Sequence, residues 1–334
     1  MWKNRKVAVV VPAYNEAENI FETLTTIPKW VDLIFVVNDC SLDDTDLQIQ
    51  SAIKNDARIN NLLLKTNSGV GAAIKEGYKN AIDAGADICA VMAGDGQMDP
   101  LELHKLVDRV ASGQVEMAKG NRFYSSKSTA GMPSNRVLGN ILFSLLTKIG
   151  SGYWSILDPQ NGYVAVSVES IKDLHLDSIA NRYNFENDFL CHMRMIDARI
   201  ADVNIPARYR NETSTIKMLP TIIRISSTLF KGFWRRMFVK HFLWSFSLIP
   251  LFFLLGILSI SGGLFLGLLI LGKVSNSVSP SAGTSSLDVI LITSGVQFLL
   301  TSLIMDVISE PKASFSISLF YKSELAKEYF RSYG

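Results

Sequence analysis

Charge is scarce in this chain. Only 19% of its 334 residues are Asp, Glu, Lys or Arg, against 48% hydrophobic, and no charged residue occurs from Trp244 to Leu271 or from Val289 to Met305. A helix rising about 1.5 Å per residue crosses a hydrocarbon layer about 30 Å thick with either stretch. We therefore expect two transmembrane helices, at about 244–271 and 287–307; two buried helices of a soluble core fit uncharged runs of this length poorly. The first is longer than one span needs and should tilt, kink at Pro250 or extend into the interface. Cysteine is scarce as well. Cys40, Cys89 and Cys191 have neither metal-ligand nor CxxC spacing, which leaves buried, reduced thiols suited to a cytosolic catalytic portion. There is no internal repeat, and no signal-peptide layout, because MWKNRK runs straight into a strand. The net charge of +2 says little about partners, and no nucleic acid is expected among them.

Basic residues gather before the first uncharged run (Lys231, Arg235, Arg236, Lys240) and after the second (Lys312, Lys322, Lys327, Arg331). The positive-inside rule then puts both termini and the globular portion in the cytoplasm, with the Ser-, Gly- and Pro-rich linker of residues 272–288 outside. Gly262, Gly263 and Gly267 offer small faces for self-association, so a homo-oligomer is an open expectation. From 213 to 240, Leu, Ile, Phe and Trp recur at helical spacing among Lys and Arg, the pattern of helices lying in a membrane surface; for Ile222 to Phe230 a soluble-core helix is the competing reading. The expected layout is a globular domain at 1–212, juxtamembrane amphipathic helices at 213–240, a transmembrane hairpin at 241–309 and a cytoplasmic tail at 310–334.

Within the globular portion, VAVVV (7–11), LIFVV (33–37), NLLL (61–64) and ICAVM (88–92) are short apolar runs. Helical patterns separate them at Glu18 to Ile27 and Gly71 to Ala84. Fully apolar strands alternating with helices predict an α/β domain with a mostly parallel sheet covered on both faces, and ligands should collect where the strands end. The fourth run stops at Gly94-Asp95-Gly96-Gln97. A carboxylate flanked by glycines at a strand end can hold Mg²⁺ or Mn²⁺ against phosphate oxygens, or can simply cap the next element.

Taken together, VVVPAYNEAENI, VVNDCSLDDT, NSGVGAAIKEGYKNA, VMAGDGQMDP, KGNRF, SNRVLGN and DPQNGY resemble family 2 glycosyltransferases of the GT-A fold, a Rossmann-like α/β architecture. More narrowly they are similar to the dolichol-phosphate-mannose synthase and bactoprenol glucosyltransferase branch. The resemblance spans about residues 5–240. It implies a membrane-anchored enzyme that moves one sugar, with inversion, from a UDP- or GDP-sugar to a dolichyl or undecaprenyl phosphate, with Mg²⁺ or Mn²⁺ as cofactor. The alternatives are transfer to a hydroxyl of a lipid-linked glycan and a catalytically silent nucleotide-sugar-binding membrane protein. The Gln-x-x-Arg-Trp motif of processive polysaccharide synthases is absent, which favours a single transfer.

Residue by residue, the resemblance implies nucleotide-sugar contacts at Pro12, Tyr14, Glu16, Asp39, Gly71, Lys75 and Asp95, with Asp39 facing the base. The Gly69-Val70-Gly71 turn reads equally as a phosphate cradle or a chain reversal. Metal ligation falls to Asp95 and Gln97, because Ala93 stands where the family's Asp-x-Asp-x-Gln has its first acid. Arg122 and Arg136, with Arg210 and Lys217, are implied to hold the acceptor phosphate, since guanidinium forks match phosphate oxygens; the altered RYRNETSTIK spacing leaves Arg208 a competitor of Arg210. Asp95, Asp158, Arg122 and Arg136 form the implied catalytic set. Asp158 serves either as a base or as an orienting group. Glu186, in FEND, is either a catalytic acid or a helix-start carboxylate.

Overall fold

The computed structural model describes residues 1–123, 134–206 and 218–312. The described chain forms two compact units, meeting in sequence between Gly232 and Phe233.

The first unit is built on a seven-stranded sheet in the order β3-β2-β1-β4-β6-β5-β7. The strands are β1 (Val7–Ala13), β2 (Leu33–Asn38), β3 (Ile59–Leu63), β4 (Ile88–Val91), β5 (Met117–Asn121), β6 (Val164–Ser167) and β7 (Ile200–Asn204). β6 runs antiparallel to both neighbours, β4 and β5, while all other pairings are parallel. Alternate residues of each inner strand enter opposite cores. Val7, Val9 and Val11 of β1 face one, with Leu24, Ile49 and Leu106 from α1 (Ile20–Thr25), α2 (Thr45–Asn55) and α4 (Leu103–Ala111). Ala8 and Val10 face the other, with Ile74 and Phe189 from α3 (Val70–Asp83) and α7 (Phe185–Met195). Burial on both faces is why these strands are continuously apolar rather than alternating. α4 buries Leu103, Leu106, Val107 and Val110, one stripe at helical spacing. α3 comes so close to β1 that a side chain at Gly77 would collide with Val10. Pro12 sits in the central strand without wasting a donor, since its side of β1 lies beyond the last β4 partner and its carbonyl accepts from Gly94 N–H at 3.1 Å.

α5 (Ser134–Ser151), α6 (Val168–Lys172) and α8 (Met218–Arg235) complete the helices around the sheet, α8 running on across the boundary between the units. Phe143 of α5 packs against a small cluster of Cys191, Ile225 and Leu229. Cys89 and Cys191 are buried, and burial pushes the Cys89 thiol up to about 12. Cys40 is only half-buried, a departure from the three buried thiols expected.

The second unit comprises a π-helical segment, Arg236–Trp244, and two long helices, α9 (Leu248–Ser275) and α10 (Ala282–Ile308). Both are long and apolar enough to cross a membrane. Pro250 falls in the first turn of α9, where no intrahelical N–H is required, so it starts the helix and introduces no kink. The turn between the helices is shorter than the linker composition suggests, because Ser281 caps α10 by accepting from Thr284 N–H and draws residues 282–287 into the helix. Side chains at Gly256, Gly263 and Gly295 would collide with Leu299, Ile292 and Ile260, so small residues set the close approach of the pair. Gly263 is thus taken up inside the hairpin, and Gly267 lies over Asp288, while Gly262 keeps an open side. At the other end, Arg236 and Asp306 form a buried ion pair, with His241 Nε2 3.7 Å from the same carboxylate.

Candidate active site

The carboxyl ends of the six parallel-running strands share one edge, and the reversal of β6 puts the segment before it, Asp158 to Tyr163, at that edge as well.

The loops after β1 and β2 are tied to each other. Asn15 donates its N–H to Ser41 Oγ (3.0 Å) and accepts Leu42 N–H on Oδ1 (2.9 Å), while Glu16 N–H reaches Thr45 Oγ1 (2.8 Å). Burial alone would raise the Asp43 carboxyl, but hydrogen bonds from Thr45 and Ala17 outweigh it and hold it below the usual range. Tyr14 projects from this loop, 42% exposed. Cys40 is held at φ +59°, a left-handed conformation that costs a side-chain-bearing residue about 1–2 kcal/mol. Asp39 is buried and accepts Ser68 and Gly69 N–H groups, both at 2.7 Å. The carboxylate expected at the base thus clamps the neighbouring loop.

Two expectations need correction at the start of α3. A side chain at Gly71 would strike Ala180 O and Phe185, and Ala72 N–H is already given to Asn181 O at 3.1 Å. This helix start is packed against residues 180–185 rather than left open as a cradle. Lys75 is buried and donates to Ile179 O at 2.7 Å, with its pKa lowered by burial; its ammonium is committed to the fold.

The turn after β4 is tightly specified. Gly96 adopts φ +69°, Gln97 N–H donates to Asp95 Oδ1 (3.0 Å), and Tyr163 OH donates to Asp99 O (2.8 Å). Asp95 and Gln97 line one cavity with Arg122 and Gln160. Ala93 offers no ligand, and its N–H points to Met98 Sδ at 3.2 Å. Across the cavity Arg122 meets Asp158 bidentately, Nε to Oδ2 at 2.7 Å and an Nη to Oδ1 at 3.1 Å. Asp158 is fully buried. Its carboxylate is engaged with Arg122, the arrangement that the orienting alternative calls for.

Arg136 lies on α5, and its side chain is outside the described residues, as are Arg208, Arg210, Ser214 and Lys217. Sequence reasoning missed several polar groups under the cavity. Gln160 donates to Asn187 Oδ1 (3.1 Å), which in turn donates through Nδ2 to Thr147 Oγ1 (2.9 Å). Lys119, wholly buried, bonds to Asn161 O and lies 3.2 Å from Glu186 Oε2. Asp202 accepts from Asn121 Nδ2 (2.9 Å) and Leu157 N–H (3.1 Å). Burial, reinforced by the Asp158 carboxylate, outweighs the Leu157 hydrogen bond and pushes Asp202 up to about 6. Polar residues inside otherwise apolar strands, Lys119 in MAKGN and Asp202 in IADVN, were the available signal.

This sheet, with its acid turn and an arginine lining one cavity at the strand ends, is of the α/β class. The sequence pattern described as "Glycosyl transferase family 2" matches residues 8–174, and the chain belongs to that family; it is a glycosyltransferase. It is 28% identical to the UDP-N-acetylglucosamine–dolichyl-phosphate N-acetylglucosaminyltransferase of Methanococcus voltae, over 62% of this chain and 87% of the relative. With the undecaprenyl-phosphate mannosyltransferase of Micrococcus luteus it shares 26% identity, over 60% of this chain and 82% of that one. Among solved structures, glucosyl-3-phosphoglycerate synthase from Mycobacterium tuberculosis, in complex with Mn²⁺ and UDP, superposes with TM-score 0.54 at 21% identity, over 69% of this chain and 80% of the other. The catalytic unit has the GT-A fold.

Proposed function

We propose that this glycosyltransferase is anchored by α9 and α10 and moves a single sugar from a nucleoside-diphosphate sugar to a polyprenyl phosphate, with inversion. The observation that carries this reading is the pairing across one cavity of the Asp95 turn with an arginine whose geometry is fixed by a buried carboxylate. The names of the Methanococcus and Micrococcus relatives support the lipid phosphate as acceptor. Basic residues before α9 and after α10 support a cytoplasmic placement of the catalytic domain, and we retain the division at 212, 240 and 309 as the working layout.

Asp95 and Gln97 fit a divalent cation, since both offer hard oxygen donors on one cavity wall. Among the described residues no cluster of three His, Cys, Asp or Glu side chains stands ready for one, so most of the ligands of a bound Mg²⁺ or Mn²⁺ would come from diphosphate and water. When bound, the ion supplies charge stabilisation to the leaving diphosphate. The chain itself binds and orients. Asp158 holds Arg122, which is proposed to meet the acceptor phosphate, with Arg136, Arg210 and Lys217 as the further proposed anion contacts. Pro12, Tyr14, Glu16 and Asp39 line the loops proposed to hold the nucleoside. An acceptor phosphate oxygen attacks the anomeric carbon as the bond to the diphosphate oxygen breaks, and the nucleoside diphosphate leaves with the electron pair. The attacking phosphate is already ionised near neutral pH, so no base is needed. This agrees with Asp158 being sealed against Arg122, and a hydroxyl acceptor, which would need a base, is disfavoured.

Full-length protein in vesicles containing undecaprenyl phosphate should convert a radiolabelled UDP- or GDP-sugar into an acid-labile labelled lipid, and Asp95→Ala should abolish it. No label with any common donor overturns the proposal, and undiminished turnover in Asp95→Ala removes the assigned role of that turn.

A further inference from the structure

A buried file of hydrogen bonds ends at the wall of the cavity at the strand ends. Thr147 of α5 is buried and donates its hydroxyl to Phe143 O at 2.9 Å. Its Oγ1 accepts Asn187 Nδ2 at 2.9 Å, and Asn187, wholly buried on α7, accepts Gln160 Nε2 on Oδ1 at 3.1 Å. Gln160 lines the cavity with Asp95, Gln97 and Arg122. A carboxamide taken out of water destabilises the fold unless its polar atoms are met. An apolar residue in place of Asn187 would fill the same space without that demand.

The file runs in one direction. A backbone carbonyl only accepts, so the Thr147 hydroxyl hydrogen goes to Phe143 and its oxygen is left as an acceptor. Asn187 must then turn its amide nitrogen to Thr147 and its oxygen to Gln160, and Gln160 must turn its own nitrogen inward. An unanchored glutamine can flip its amide and offer either end to a ligand; this one is held with the nitrogen engaged. Among the described residues none donates to Gln160 Oε1, and residue 160 is exposed where it lines the cavity.

We propose that Gln160 is a specificity-determining residue of the transfer, its Oε1 atom accepting a hydrogen bond from one hydroxyl of the donor sugar. The assignment rests on the proposed reaction, in which the diphosphate lies at the Asp95 turn and the acceptor phosphate at Arg122. The anomeric carbon then passes between them, which puts the sugar ring in the cavity that Gln160 lines. A fixed acceptor favours a hydroxyl that points at it and rejects an analogue that cannot donate. Asn187 and Thr147 act through Gln160 as positioning residues. They hold the amide in its receiving orientation before the sugar arrives, which spares binding the cost of ordering it.

The test uses the full-length protein in vesicles containing undecaprenyl phosphate. Its donors are the UDP- or GDP-hexose turned over best and analogues of that hexose carrying fluorine in place of one hydroxyl at a time. Fluorine nearly keeps the size of the hydroxyl but has no hydrogen to donate. Its penalty on kcat/KM is read for the parent and for Gln160→Ala, so that electronic effects of the fluorine cancel in the comparison. At one ring position the parent's penalty should exceed that of Gln160→Ala by about tenfold, the weight of one hydrogen bond, and at the others the two should agree. Thr147→Val removes the anchor of the file and frees Asn187 and Gln160 to flip, so it should shrink the penalty at that same position. Equal penalties at every position in parent and Gln160→Ala, whatever the overall rate, overturn the assignment while the proposed reaction stands. An unchanged penalty in Thr147→Val overturns the positioning role of the file. No transfer by the parent from any hexose donor removes the proposed reaction and the role of Gln160 with it.

Discussion

Asp158 shows how a buried residue can matter to the reaction without touching substrate. Its carboxylate holds Arg122 in a two-point contact, so Asp158→Asn should leave the fold intact and misplace the guanidinium. Misplacement by about 1 Å costs on the order of 10²-fold in rate, and turnover should fall by that amount in a radiolabel assay. Because both substitutions break one unit, Arg122→Lys combined with Asp158→Asn should be no worse than the weaker single variant. Asp202 carries a second expectation. Its folded-state pKa of about 6 lies above that of an ordinary Asp. Its contribution is therefore fully present below about pH 4 and is lost as pH rises through 6. Asp202→Asn should remove this slope, and at pH 7 it should be more stable than the parent by about 1–2 kcal/mol, allowing for partial solvent screening; urea midpoints from pH 4 to 7 test the sign. The sequence made Asp95, Gln97 and Arg122 legible because each sits in a short motif at a strand end. It could not reveal that Asp158 is sealed, that Lys75 turns to Ile179, or that Gly71 is a packing position, since those facts depend on chain segments 36, 104 and about 110 residues away.

Among the elements, the four N-terminal strands were readable from their apolar runs, because a strand buried on both faces has no polar alternation to confuse it. β6 was not. VAVS is only four residues long, and nothing local says that it enters the sheet backwards between β4 and β5. That reversal is what brings DPQNGY to the edge where Asp95 waits, so half of the cavity depended on a long-range fact. The hairpin was legible as two uncharged runs, yet its contact was not: the glycines that pack it, Gly256, Gly263 and Gly295, are indistinguishable in sequence from Gly262 and Gly267. Gly295→Val should force α10 off Ile260 and destabilise the helix pair by about 1–3 kcal/mol through overpacking, whereas Gly262→Val should be tolerated. Thermal unfolding of the purified protein in detergent distinguishes them.

For the molecule as a whole, the division is between a unit that gathers polar and charged groups at one sheet edge and a unit whose two long helices are mostly uncharged. The turn proposed to bind a cation offers one carboxylate and one amide, so any ion should be held weakly without its nucleotide. Chelation by EDTA should abolish transfer while leaving the far-ultraviolet circular dichroism unchanged, and millimolar Mg²⁺ or Mn²⁺ should restore it; persistence of transfer after chelation would remove the metal from the mechanism. Comparing metal affinity with and without UDP or GDP by calorimetry shows whether the diphosphate completes the site.

The ion pair between Arg236 and Asp306 bears on how the protein is made. Synthesis delivers Arg236 first, then α9, and only afterwards the far end of α10 with its carboxylate. Until that moment the arginine lacks the Asp306 carboxylate, and a chain halted after α9 would carry a cation destined for burial without that counter-charge. Asp306 in turn would burden α10 if that helix were offered to the insertion machinery alone. With α9 and α10 spanning a membrane as proposed, the pair would favour the two helices settling together rather than one after the other.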